Sequence, residues 1–153
     1  MERVSLNAAI VARMLVSIVF LLNALGIVDQ AIPAKEMAER GAPEALVPLF
    51  MFLGRSVELV AGLALVFGVL PRLAALALLA FLIPATFVSH SFWLATGTPA
   101  FQQQLINFSK NLAIWGGLLF IGATAEQPAW VRSVVARMKK AVELPAARRQ
   151  PSL

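Results

Sequence analysis

The stretch LVPLFMFLGRSVELVAGLALVFGVL, Leu46 to Leu70, decides what kind of protein this is. As a helix it would cross a bilayer, because covering roughly 30 Å of hydrocarbon takes about 20 residues at 1.5 Å each. Two charges interrupt it, Arg55 and Glu58, one helical turn apart. An ionised side chain at that depth costs at least about 2.5 kcal/mol even on insertion-based scales, so such residues face a protein interior or a wet cavity. The stretch therefore predicts a membrane span and also the place where that span carries chemistry.

Working outward, three more apolar segments of similar length appear: Ala8 to Val28, Leu73 to Leu94 and Leu105 to Ala125. The 153-residue chain is 59% hydrophobic and 14% charged, with a mean hydropathy of +0.80. That is well above the roughly 45 to 50% apolar share of a soluble domain. The expected fold is all-α, an integral membrane four-helix bundle with short loops, occupying residues 1–127 with spans near 8–28, 46–70, 73–94 and 105–125. Sequential spans should be antiparallel neighbours. Pro71 and Arg72 predict a tight hairpin between spans two and three, and Pro84 predicts a kink inside span three, since it removes the amide that would meet the Ala80 carbonyl. Ala34 to Arg40 reads as a short surface helix ended by Gly41 and Pro43. In the loop His90 to Gln104, Phe92, Trp93 and Phe101 surround a Gly97-Thr98-Pro99 turn and read as interfacial anchors.

The formal charge of +5 is concentrated beyond span four, at Arg132, Arg137, Lys139, Lys140, Arg148 and Arg149. Arg3, Arg72 and this tail fall on one side of the membrane, while Asp29, Glu36, Glu39 and Glu44 fall on the other. The excess of positive residues then places both termini in the cytoplasm. Residues 128–144 read as a cytoplasmic interfacial amphipathic helix, with Val131, Val134, Val135, Met138 and Val142 on one side and Arg132, Lys139, Lys140 and Glu143 on the other. Residues 145–153 read as a disordered tail. No recognition motif accompanies the basic residues, so nucleic acid is not an expected partner. A secretory signal peptide is the rival reading of the first segment, but the run exceeds a typical h-region and Arg13 interrupts it.

The chain has no cysteine and a single histidine, His90. This excludes disulfides, thiol redox motifs, a bis-histidine haem and a conventional zinc centre, so no metal site is expected; a His90/Met51 axial pair is the one haem arrangement left. There is no Ser/His/Asp arrangement, P-loop or dinucleotide fingerprint, so no catalytic residues are assigned. Redox chemistry would need a bound cofactor or a partner.

The candidate ligand-binding residues are Arg55, Glu58, His90, Asn107 and Lys110, supported by the buried polar residues Arg13, Asn23 and Asn111. Gly54 and Gly62 on span two, with Ala113 and Gly117 on span four, offer small-residue surfaces through which these two spans are expected to meet. Three cations, Arg13, Arg55 and Lys110, share the interior with one carboxylate, Glu58. In one reading Glu58 pairs with an arginine, Lys110 snorkels outward and Arg13 reaches headgroups. In the other, Arg55, Lys110, His90 and Asn107 line an outward-facing pocket for an anion or a quinone head.

Arg13, the segment Phe20-Leu21-Leu22-Asn23-Ala24-Leu25-Gly26, Gly54 to Gly68 carrying Glu58, the Leu70-Pro71-Arg72 hairpin, His90 and the run Asn107-Phe108-Ser109-Lys110-Asn111-Leu112-Ala113-Ile114-Trp115-Gly116-Gly117-Leu118-Leu119 together resemble the DoxX family of small four-span membrane proteins. The resemblance implies a multi-pass protein of the bacterial inner membrane, in some members a subunit of a quinone-linked oxidoreductase assembly. A lysine that members often carry just after the glycine of span one is replaced here by Ile27, Val28 and Asp29, so no role attaches to it. The expected function is a quinone- or small-anion-binding membrane subunit with an oxidoreductase partner, in contact with the lipid bilayer and able to form a homo-oligomer. A small transporter or lipid-handling protein, or a purely structural scaffold, are the alternatives.

Overall fold

A computed structural model describes residues 6–29, 31–126, 132–134, 136–138 and 140. Its helices are α1 (Leu6–Ala24), α2 (Ala31–Glu39), α3 (Val47–Phe67), α4 (Pro71–Ser89) and α5 (Phe101–Thr124), with single 3-10 turns at Glu44–Leu46 and Phe92–Leu94. Four of them, all but α2, are long and apolar enough to cross a membrane. Large apolar side chains such as Phe52, Val60, Phe67 and Leu73 stand on the outside, as lipid contact requires.

The ends of the helices follow from local sequence. α1 stops at Ala24, short of the apolar run, because Gly26 turns left-handed at φ 73° and the amides of Gly26 and Ile27 bond back to the carbonyls of Asn23 and Leu22. α3 ends the same way at Gly68, with φ 68° and back-bonds to Leu65 and Ala64. Pro71 then occupies the first turn of α4, where its missing amide costs nothing. α4 runs unbroken through Pro84 to Ser89. α5 starts at Phe101, earlier than the apolar run suggests, because Gln102 to Gln104 are polar but good helix formers.

The spans form a ring in the order α1, α3, α4, α5. The α4–α5 and α1–α3 faces are the most extensive, α3–α4 is next, and α1–α5 closes the ring with a slim seam. The expected meeting of spans two and four is corrected here: α3 and α5 lie on a diagonal. The small residues of α3 serve two different neighbours instead. Gly62 receives Leu21 of α1, whose Cδ2 lies 3.0 Å from the place a Cβ would take, and Gly54 receives the ring of Phe81 from α4 at 2.8 Å. Gly117 of α5 faces Val16 of α1.

The dry core lies toward the Pro71 end of the bundle. Ala61, Leu65, Ala74, Ala75, Leu78, Leu118 and Ile121 are buried there, joined by Phe20. α2 sits across the opposite, His90 end, touching α3 and α4. In the basic tail the described residues 132–134, 136–138 and 140 are helical, and Val134 and Met138 are exposed. The rest of the expected amphipathic helix and all of 145–153 lie outside the described residues.

Candidate functional site

Where the core ends, a cavity of about 760 Å³ begins, walled by the four spans and α2. Its polar lining is small: Asn23, Arg55, Glu58, Ser89, His90 and Asn111. The remaining wall is apolar, with Phe20, Met51, Phe81 and Ile114 among its residues. Sites for amphiphilic small molecules have this make-up, a mostly apolar surface with a few convergent polar groups.

Glu58 is buried, with 4% of its surface exposed, at the middle of α3. Its Oε1 accepts a hydrogen bond from Asn23 Nδ2 of α1 at 3.2 Å. Arg55 does not close on it. Among the described residues an ion pair forms between Lys35 and Glu39 on α2 at 3.7 Å, and none forms between Arg55 and Glu58. The Arg55 side chain reaches instead to the end of α1, where its Nη2 lies 2.8 Å from the position a Cβ would occupy on Gly26. Its Nε is buried without a hydrogen-bond partner.

Arg13 makes the mirror-image arrangement. Its guanidinium rests against Gly68 at the end of α3, with Nη1 3.2 Å from the corresponding Cβ position, and its Nε is likewise buried without a partner. Each of these two antiparallel helices thus sets an arginine against the C-terminal end of the other, where the exposed carbonyls carry partial negative charge. Arg72 does the same for α5, donating from Nε to the Ala125 carbonyl at 2.8 Å and from Nη2 to that of Ala123 at 3.1 Å.

His90 occupies the end of α4, its amide bonded to the Thr86 carbonyl, and its Nδ1 lies 3.1 Å from Gln104 Oε1 of α5. In the tautomer that donates from Nδ1, Nε2 is an acceptor. Asn111 donates to Thr86 Oγ1 at 3.0 Å, while that hydroxyl donates to the Leu82 carbonyl, so α4 and α5 are joined by a short polar chain beside the cavity.

Of the five expected ligand-binding residues, the structure brings Arg55, Glu58 and His90 to one cavity, together with the supporting residues Asn23 and Asn111. Asn107 and Lys110 are not part of its lining. Lys110 is exposed, about 100° round α5 from Asn111, and the side-chain oxygen of Asn107 is engaged by Gln103 Nε2 at 3.2 Å. Arg13 lies at the other end of the bundle. The loop aromatics pack on one another along the α4–α5 flank, with Phe92 against Trp93 and Phe108 at 5.1 and 5.2 Å, and take no part in the cavity wall. Sequence reasoning missed Phe81 and the two α2 residues Pro33 and Met37, which also line it. Phe81 is one ring in an apolar run and nothing marks it, whereas the apolar positions of α2 were a readable sign that this helix has a face to bury.

The profile of the DoxX family matches residues 8–91, more than half of the chain, from α1 to just past the end of α4. The chain is also 33% identical over 125 residues to the protein named Inner membrane protein YqjF of Escherichia coli strain K12, covering 81% of this chain and 88% of that one. No solved structure matches. With four spans, a cavity walled largely by the matched residues and a relative of nearly the same extent, this multi-pass membrane protein belongs to the DoxX family.

Proposed function

We propose that the cavity binds the head of a quinone, and that the protein is a membrane subunit presenting this quinone to an oxidoreductase partner. The observation that carries the reading is Arg55. Its guanidinium lines a mostly apolar cavity, closes no ion pair with Glu58, and holds a buried Nε without a partner. A ring carbonyl is an acceptor of the right kind for that group. Glu58 and Asn23, already bonded to each other, supply acceptor and donor capacity one turn away. An apolar ring suits Phe81, Met51 and Ile114, whereas a small hydrated anion would leave that surface unused. A bound quinone would supply the two-electron chemistry that the side chains lack; Arg55, Glu58 and Asn23 would hold and orient it.

The relative in the inner membrane and the basic residues beyond the last span support a location in the inner membrane with both termini in the cytoplasm, the orientation in which the His90 end faces outward. It leaves the basic tail on the side where a cytoplasmic partner or anionic lipid meets it, and a homo-oligomer is compatible with it.

Calorimetric titration of the purified protein with a benzoquinone lacking a side chain tests this. Arg55→Met is expected to weaken binding of the benzoquinone, and Glu58→Gln that of its hydroquinone, whose hydroxyl can donate to the carboxylate, by about tenfold each, the loss of one hydrogen bond to a charged group. Lys110→Met should leave it unchanged, because that side chain lies outside the cavity. Equal affinity in the wild type and both cavity variants removes the site from consideration.

A further inference from the structure

The cavity wall is unevenly exposed. On the α1 and α5 sides, Phe20, Asn23, Asn111 and Ile114 are buried or half-buried and Val19 reaches 37%, while Val28, beyond the end of α1, is exposed to 44%. On the α3–α4 flank, Phe50 and Leu53 of one helix and Ala80 and Pro84 of the other line the cavity and are exposed, Phe50 to 42% and Leu53 to 49%. Val28 marks an opening at the end of α1, and the exposed lining residues of α3 and α4 mark a lateral mouth. This mouth lies within the two spans, so it faces hydrocarbon rather than water. Above it, half-buried Pro33 and Met37 of α2 form a roof. Between mouth and interior, the Phe81 ring lies on Gly54, one of the two glycines of α3.

We propose that the guest reaches the cavity sideways from the bilayer through the α3–α4 seam, and that its apolar tail stays in the seam while its head lies at Arg55 and Glu58. The ligand class is therefore a membrane-dissolved amphiphile with a compact polar head and a hydrocarbon tail, and a tail-free, water-soluble molecule is the poorer ligand. This rests on the head-binding reading above and adds the route and the tail. Phe81 is the sill over which the head passes. Ala80 and Gly54 are small, so the Phe81 ring is the side chain that spans the two helices at this level of the seam.

The test uses the full-length protein in lipid nanodiscs, with protein-free discs as the partition reference, and two probes: a benzoquinone without a side chain and its decyl-substituted counterpart. The wild type is expected to bind the decyl compound at least about tenfold more tightly after correction for partitioning, as burial of a chain in an apolar seam implies. Ala80→Trp, at an exposed position, should abolish that advantage. Leu53→Trp blocks the seam from its other wall and repeats the test if Ala80→Trp does not fold. Equal affinity of the wild type for both probes, or an advantage that survives both tryptophans, overturns the proposal. Binding of the side-chain-free probe that is lost in Arg55→Met while the decyl chain adds nothing leaves the head site standing and removes the route; failure of both probes to bind removes both.

Discussion

At Arg72, two backbone carbonyls from the end of α5 converge on one guanidinium, and the bonds tie the α3–α4 hairpin to the last span. Arg72→Gln is expected to lower stability by on the order of 1 kcal/mol, the lower end for bonds to a charged group because the site is exposed, read from thermal unfolding in detergent. At Gly68 the strain of a left-handed backbone adds to the contact with Arg13, so Gly68→Ala should cost about 1 kcal/mol and displace the arginine, in the same measurement. Residue-level legibility was divided. Arg55 and Glu58 announced themselves because charge inside an apolar run has few explanations, and the partnership of Glu58 with Asn23 lies within the set read from the sequence. Which way Arg55 would turn was not readable: one-turn spacing allows it to meet Glu58, and only the approach of the α1 end through Gly26 offers it the other side. Lys110 was grouped with Arg55 as a cation of the interior, but a position within an apolar span carries no information about which face of the helix is turned inward.

Among the elements, α4 combines a proline in mid-span with an unbroken helix. Pro84→Ala restores the amide under the Ala80 carbonyl, and hydrogen exchange at positions 81 to 83 and 85 is expected to slow while that nearer the start of α4, at 74 to 76, is unaffected. The spans were legible because each needs enough apolar length to cross the hydrocarbon, a requirement composition alone reveals. Their ends were less so, since a left-handed glycine stops α1 inside its apolar run and three glutamines extend α5 outside its own. α2 was recognised as a short helix near its true position, but its role as a roof was not, because a nine-residue surface helix carries no signal about what it covers.

For the whole molecule, the ring order predicts which spans can be joined covalently, and a chain without cysteine is a clean background for asking. Val16→Cys with Gly117→Cys, facing each other across the α1–α5 seam, should form a disulfide on oxidation and shift mobility on a gel; Val60→Cys with Leu119→Cys, exposed on the diagonal helices α3 and α5, should not do so within one chain. The short connections made the adjacency of successive spans readable from sequence; the expected contact of spans two and four failed because small residues show that helices approach closely without saying which ones. The reciprocal placement of Arg13 and Arg55 carries one more consequence. Two contacts at opposite ends of an antiparallel pair act as a two-point ruler: sliding α1 against α3 by a single turn, about 5.4 Å, would pull both guanidinium groups off their glycines at once. The vertical stagger of the two helices is fixed by this, and with it the depth at which Asn23 and Glu58 meet below the membrane surface.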